Sequence, residues 1–481
     1  MRLINCDTLL FEEFFFKPPP PYAILSHTWD EHEITFQEYY DYQARARHPV
    51  SANKIANACA KAKRHGSKYM WIDSCSIDKS SSNEFSEAIN SMFKWYQNSE
   101  RCYVYLSDFN SGLTESRATN ATPITGAQIM NFKNCKWFSR GWTLQELLAP
   151  RNLIFYDVNW LYFGSASELA GMLSSATRIP QQALLGTAPL YNYSVAQKMS
   201  WAATRRTTRE EDMAYCLLGL FDVNMPLFYG EGARKAFFRL QEAIMRESND
   251  LTLFAWQSVP ESCYRGILAR SPSEFYTAGD ITHLTPVSQN PEFAMTNKGL
   301  KIESMLERSS GPSFMPLNCT RQTDNTLTLL GVNLVDHSGI MIRDSPEKLL
   351  RLQSSGTPNW TKGPIYIAKD VKIHKSKGDF EYPVPPTFTQ FLPSHTTPSK
   401  PGFVPSSTNP QPAQGAFKFV KPASASTAAF LAHSGHTTPS TSEFVPTPTT
   451  TLGMDPAAFK APSATTAAFL AHSRSGSRQS S

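Results

Sequence analysis

The stretch "WFSRGWTLQELLAP" (137–150) sets one carboxylate, Glu146, among Trp137, Trp142, Leu144, Leu147 and Leu148. Large apolar residues at that spacing read as a buried helical face. Packing gives no reason for the acid. Either Glu146 pairs with Arg140 or Arg151 on a helix surface, or it is an acid set in a pocket to do chemistry. Further polar residues follow short apolar runs: Ser26 and His27 after "YAIL", Asp73 after "KYMWI", Ser107 and Asp108 after "RCYVYL". Trp29 offers a face on which a ring can stack, or it anchors a loop together with His27. The planar fork of Arg140 suits a diphosphate. Trp142 and Trp137 read as core or pocket wall. Asp73 either binds a ligand or caps the turn after its strand. Cys75 with His27 is the pair a thiol hydrolase would need, but no peptidase signature surrounds Cys75. Asp73 and Asp78 alone make a poor metal signature, so no metal is expected.

The elements that would position these residues can be read from periodicity. Residues 22–26, 68–73, 101–108 and 152–157 read as strands. "SANKIANACAKAKRHG" reads as a helix stopped by Gly66, and "NEFSEAINSMFKWYQNS" as an amphipathic helix with Phe85, Ala88, Ile89, Met92, Phe93 and Tyr96 on one face. A polar loop runs to about 131, and a helix is predicted over the opening stretch. Alternating strands and helices predict an α/β fold with a parallel sheet covered on both faces. Ligands of such sheets sit beyond the carboxyl ends of the strands. Ser26, His27, Asp73, Ser107 and Asp108 collect at that edge. Residues 161–250 are predicted to be a helical extension, with a capping box from Thr208 to Glu211. Residues 251–380 read as a small β-rich domain, in which "LTLFAWQ" and "TLTLLGVNLV" are strand-like.

Residues 381–481 are rich in Pro, Ser, Thr and Ala and repeat twice at about 40 residues: "STAAFLAHS" (426–434) returns as "TTAAFLAHS" (465–473). Two copies with few large apolar residues point to a disordered tail rather than a solenoid. The net charge of +5, from 46 basic and 41 acidic residues, is too small and scattered for a nucleic-acid partner. The eight cysteines show no CxxC spacing and read as buried thiols of a reducing compartment. Glu12 and Glu13 interrupt the first apolar run, so no signal peptide is expected. No apolar stretch is long enough for a membrane span, and a cytoplasmic location is expected.

The blocks "PYAILSHTW", "WIDSCSIDKSSSNEFSEAINSMFKWYQNSERCYVYLSD" and "WFSRGWTLQELLAP" strongly resemble the three blocks of the fungal heterokaryon incompatibility (HET) domain. "MSWAATRRTTREEDMAYCLLGLFDVNMPLFYGEGARKAFFRLQEAI" and "GILARSPSEF…MTNKGLKI" are similar to the segment that commonly follows it. The resemblance covers roughly residues 1–305 and places a HET domain at 1–160, with its core at 22–150. Asp30 stands where the family more often has glycine. The resemblance implies vegetative incompatibility and programmed cell death after fusion of unlike hyphae, with self-association and signalling partners. No phosphate-loop motif or WD-type repeat accompanies it.

HET domains in turn look like relatives of the Toll/interleukin-receptor (TIR) fold, a flavodoxin-like sandwich of a parallel sheet and flanking helices. Some TIR domains cleave NAD with a glutamate in a W-C-x-x-E-L-like context. "WTLQEL" carries that role onto Glu146, with Thr143 in place of the usual cysteine. NAD is then a substrate, no resident cofactor is expected, and Ser26, His27, Trp29, Asp73, Arg140 and Trp142 are the substrate-binding candidates. The alternative is a non-catalytic module that oligomerises and recruits partners.

Overall fold

Along the strand Ala23–His27, side chains alternate between two faces, as a pleated backbone requires. Ala23 and Leu25 join one apolar cluster and Ile24 the other. In this computed structural model, residues 1–371 are described apart from 16, 114–123, 260–263, 308–311, 325–327 and 353–359. The predicted tail, with its repeats, and Cys263 lie outside the described residues.

The first sheet contains β1 (Arg2–Asn5), β2 (Phe11–Glu13), β3 (Ala23–His27), β4 (Tyr69–Trp71), β5 (Arg101–Tyr105), β6 (Leu153–Tyr156) and β7 (Tyr162–Ser165). Their order is β2-β1-β4-β3-β5-β6-β7. The four central strands, β4-β3-β5-β6, are parallel, and these are the four strands predicted. Their order begins the flavodoxin-like doubly wound pattern, with a crevice where the chain reverses direction across the sheet. The sheet is extended by antiparallel strands that hydrophobic patterning did not reveal: β1 and β2 at one edge and β7 at the other. β1 is buried along its whole length, but its two apolar residues make too short a run to read. Arg2 is tolerated there because its guanidinium donates to Glu84 (2.8 Å) and lies 4.0 Å from the centroid of the Phe36 ring.

Helices α1 (Tyr42–Arg47) and α2 (Pro49–Arg64) precede β4, and a short α3 (Asp73–Ser76) follows it. On one face of the sheet, α2 packs Ile55, Ala58, Cys59 and Ala62 against Ala23, Leu25, Met70 and Tyr103. Gly66, at φ +81°, follows its end as predicted. On the other face lie α4 (Ser82–Gln97), α5 (Gly126–Lys133) and α6 (Thr143–Leu148). Ser81 caps α4, accepting from the Glu84 N–H. A capping box between Thr125 and Gln128 starts α5 where a polar loop was expected to about 131. The helix predicted in the opening stretch is broken in two. Lys136–Ser139 is a 3-10 turn, and only Thr143–Leu148 is α-helical, with all six of its residues buried.

Beyond the sheet come α7 (Ala170–Thr177), α8 (Gln181–Leu184), α9 (Val195–Ala202), α10 (Asp212–Tyr215) and α11 (Ala233–Glu247). The predicted Thr208–Glu211 capping box does not form. Thr208 accepts from Arg140 instead, and the Glu211 carboxylate accepts from the N–H groups of Gly230 and Gly232 ahead of α11. A second sheet, almost wholly antiparallel, spans 264–367, and pairing of Glu307 with Phe314 closes five of its strands into a ring. "LTLFAWQ" is no strand. Asp250 accepts from the Thr252 N–H and winds Leu251–Phe254 into a 3-10 turn. One apolar cluster runs from Ile24 through Trp201 and Phe237 to Leu334 and Ile367. The second sheet therefore shares a core with the first.

Candidate functional site

Strand parity decides which neighbours the end of β3 meets. Ser26 lies on the α6 side, where its hydroxyl donates to Glu146 Oε2 at 2.5 Å and accepts from the Trp137 indole N–H at 2.8 Å. His27 turns to the opposite face. Its Nε2 lies 3.7 Å from Glu33 Oε1 and its Nδ1 3.8 Å from Asp73 Oδ1. Both separations exceed hydrogen-bond length, and both buried ring nitrogens lack a hydrogen-bond partner. Behind His27, buried Lys54 pairs with Glu33, and with Asp30 at 2.9 Å. That pairing gives Asp30 a role that glycine would not have. Burial opposes the Glu33 charge, but His27 and Lys54 outweigh it and hold the carboxyl well below its usual range.

A cavity of about 250 Å³ opens beyond these strand ends, and Glu146, His27, Trp29, Asp73, Arg140 and Trp142 all line it. Six of the seven site residues expected from the sequence thus share one cavity. The seventh, Ser26, is fully buried and acts through Glu146. The Trp29 indole donates to Asp73 at 2.8 Å. Trp142 donates to Asp212 at 3.2 Å. Asp78 holds a turn by accepting from Ser80, and Asp108 accepts from the Lys136 N–H, so neither belongs to the site.

Glu146 pairs with neither Arg140 nor Arg151. Burial, reinforced by the Asp73 charge, pushes its carboxyl up to about 8 despite the Ser26 hydrogen bond and the nearby Arg205 and Tyr96. At neutral pH Glu146 is therefore held mainly as the protonated acid. Cys75 is fully buried, its thiol sits 3.9 Å from the Ile72 carbonyl, and burial raises its pKa. It has none of the features of a thiolate nucleophile. Among the described residues, no group of three or more His, Cys, Asp and Glu is placed to hold a metal ion.

The sequence reading missed the opposite wall. Lys79, Phe85, Ile89 and Met92 come from α4 and the loop before it, and Thr208, Arg209, Asp212 and Tyr229 from the stretch around α10. The only sequence signal was the dense charge of "RRTTREED" (205–212), which reads just as well as a helix start. Fully buried Arg205 ties this wall to the acid's helix by donating to the Arg140 carbonyl and the Thr143 hydroxyl, at 2.8 and 2.9 Å. Gly141 completes the junction. Its N–H donates to the Arg206 carbonyl at 2.8 Å, and an added Cβ would lie 2.5 Å from Thr207 Cγ2. A larger groove of about 710 Å³ runs along the second sheet and shares no lining residue with this cavity.

The fold and the cavity define an α/β protein with an acid at the carboxyl edge of a parallel sheet. Residues 22–146 match the heterokaryon incompatibility protein (HET) family, and residues 235–274 match a domain of unknown function (DUF8212). The vegetative incompatibility protein HET-E-1 of Podospora anserina is 47% identical over 324 residues, 64% of this chain and 23% of that relative. The chain thus spans less than a quarter of the relative's length. No solved structure matches it. Residues 22–146 thus form a segment similar to the HET family, within a longer stretch similar to a fungal vegetative incompatibility protein. Among the chain's described residues, no helix is long and apolar enough to cross a membrane.

Proposed function

We propose that this protein is a heterokaryon incompatibility effector that triggers regulated cell death in a fungus by hydrolysing NAD with Glu146. One observation carries the reading: a single buried carboxylate, oriented by Ser26, opens onto a cavity with tryptophan at its edges. The cavity is slightly below the roughly 300 Å³ at which small-molecule pockets usually begin. It therefore takes the nicotinamide riboside half of the dinucleotide and leaves the remainder toward the opening.

The bond between ribose C1′ and the nicotinamide nitrogen breaks, and nicotinamide leaves as a neutral base with the bonding pair. Positive charge then develops on the ribose, as in glycosidic cleavage. The cationic nicotinamide ring, once bound, favours loss of the Glu146 proton. The resulting carboxylate stabilises the oxocarbenium-like ribose. Water adds to C1′, and its proton passes to Glu146 or to solvent. The similarity to a vegetative incompatibility protein supports the biological half of the reading.

The test is NAD content and viability in cells expressing the full chain or Glu146→Ala. A fall in NAD that the folded variant abolishes supports the hydrolase. Death that persists unchanged in the variant favours a non-catalytic module that self-associates and recruits partners.

A further inference from the structure

Three cations stand around the mouth of the cavity, and each rests on a neutral group. The Lys79 ammonium lies 3.6 Å from the centroid of the Trp29 ring. The Arg209 guanidinium lies 4.4 Å from the centroid of the Tyr229 ring. Arg140 donates to the Thr208 hydroxyl at 3.1 Å. Among the described residues, none of the three has a carboxylate within ion-pair distance. Carboxylates are nearby, and three of their four oxygens accept from ring donors instead. Asp73 accepts from the Trp29 indole, while Asp212 accepts from the Tyr229 hydroxyl at 2.8 Å and from Trp142. Each acid thus pins the edge of a ring whose face carries a cation. Cation–π contact fixes the position of a charge without using its N–H donors. Lys79 and Arg209 keep theirs for a ligand, and Arg140 has spent one.

Glu146 is buried, whereas Lys79 and Arg209 are exposed and Arg140 half-buried; Asp73 and Asp212 line the same cavity but leave a cationic excess of one at its outer part. A ligand that fits both parts has an uncharged or cationic sugar-linked end and an anionic end. Lysine and arginine donors on forks and points are the usual partners of phosphate oxygens.

We infer that Lys79, Arg140 and Arg209 form a clamp for the diphosphate of a nucleotide ligand, and that the stretch after the matched HET domain supplies part of it. This rests on the NAD reading for the ligand's inner half, though the clamp itself requires only a nucleoside diphosphate. Arg209 and Thr208 lie beyond residue 146, so a chain cut at the end of the matched segment would lack one cation and the support of another.

The test titrates the full chain with ADP, inorganic pyrophosphate, NAD and nicotinamide riboside at two ionic strengths. ADP and NAD are expected to bind more weakly at high salt. Arg209→Gln and Lys79→Gln are each expected to weaken both by about tenfold or more, the scale of one lost charge-assisted hydrogen bond, with riboside binding unchanged. Glu146→Gln retains ADP binding. If neither ADP nor pyrophosphate binds at millimolar concentration, or if both rim variants bind them like the parent chain, the clamp is wrong. ADP binding that depends on Arg209, in a chain that does not cleave NAD, keeps the clamp and removes the hydrolase. NAD cleavage with KM untouched by either rim variant does the reverse.

Discussion

The Ser26 hydroxyl oxygen lies 2.5 Å from Glu146 Oε2 and 2.8 Å from the Trp137 indole nitrogen. An indole N–H can only donate, so the serine oxygen accepts from it and keeps its own proton to donate to the ionised Glu146 carboxylate. One Glu146 oxygen is thereby engaged by Ser26. Ser26→Ala removes a bond that favours the ionised acid and leaves the Trp137 N–H buried without a partner. It is expected to destabilise the fold by about 1–3 kcal/mol and to move the pH–rate profile to higher pH. Thermal unfolding and initial rates across pH check both.

Glu146→Gln is expected to stabilise the protein while abolishing turnover. Folding raises this carboxyl from 4.5 to about 8. The native state then binds more protons than the unfolded chain between those values, so wild-type stability is fully present below about 4.5 and drains away as pH rises to about 8. Glutamine carries no such cost. The variant's melting temperature is expected to exceed the parent's by a margin that widens from pH 5 to pH 9. A constant or reversed margin contradicts the buried charge.

Asp73→Asn keeps an acceptor for the Trp29 indole but removes the charge that, after burial itself, raises the Glu146 carboxyl. The acid limb of kcat/KM is expected to shift to lower pH, because less alkali is then needed to ionise Glu146. A limb that does not move means Asp73 is too well screened to matter.

The junction between the acid's helix and the opposite wall has two supports that can be tested by stability. Gly141→Ala drives a methyl toward Thr207 Cγ2 and Cys216 Sγ, and is expected to cost roughly 1–3 kcal/mol. Arg205→Met leaves the Arg140 carbonyl without this buried donor, at about 2–4 kcal/mol. Both are read by denaturant titration.

α2 and α4 were legible because each pairs an apolar stripe with a solvated face, and the four parallel strands because each is a short apolar run, buried on both faces and bounded by polar residues. The rule that ligands sit beyond strand ends pointed to His27 and Asp73, while Glu146, Arg140 and Trp142 came from the third block and Trp29 from the first. What escaped has physical causes. β1, with the sequence RLIN, sets only two apolar residues between Arg2 and Asn5, too short a run to read as a strand. The 3-10 turn at 136–139 breaks a helix whose apolar spacing looked continuous. Glu211 has the residue type of a capping box, but two glycine N–H groups compete for its carboxylate and win. Arg209, Asp212 and Tyr229 reach the site only through tertiary packing, which local sequence does not encode.

The most direct measurement is NAD turnover by the purified full chain and Glu146→Gln, with nicotinamide release followed from pH 6 to 9. The parent chain is expected to release nicotinamide with kcat/KM rising through about pH 8, where the Glu146 carboxyl titrates. The folded variant is expected to lose at least about a hundredfold. Nicotinamide release that the variant retains at every pH would contradict Glu146 as the catalytic carboxylate.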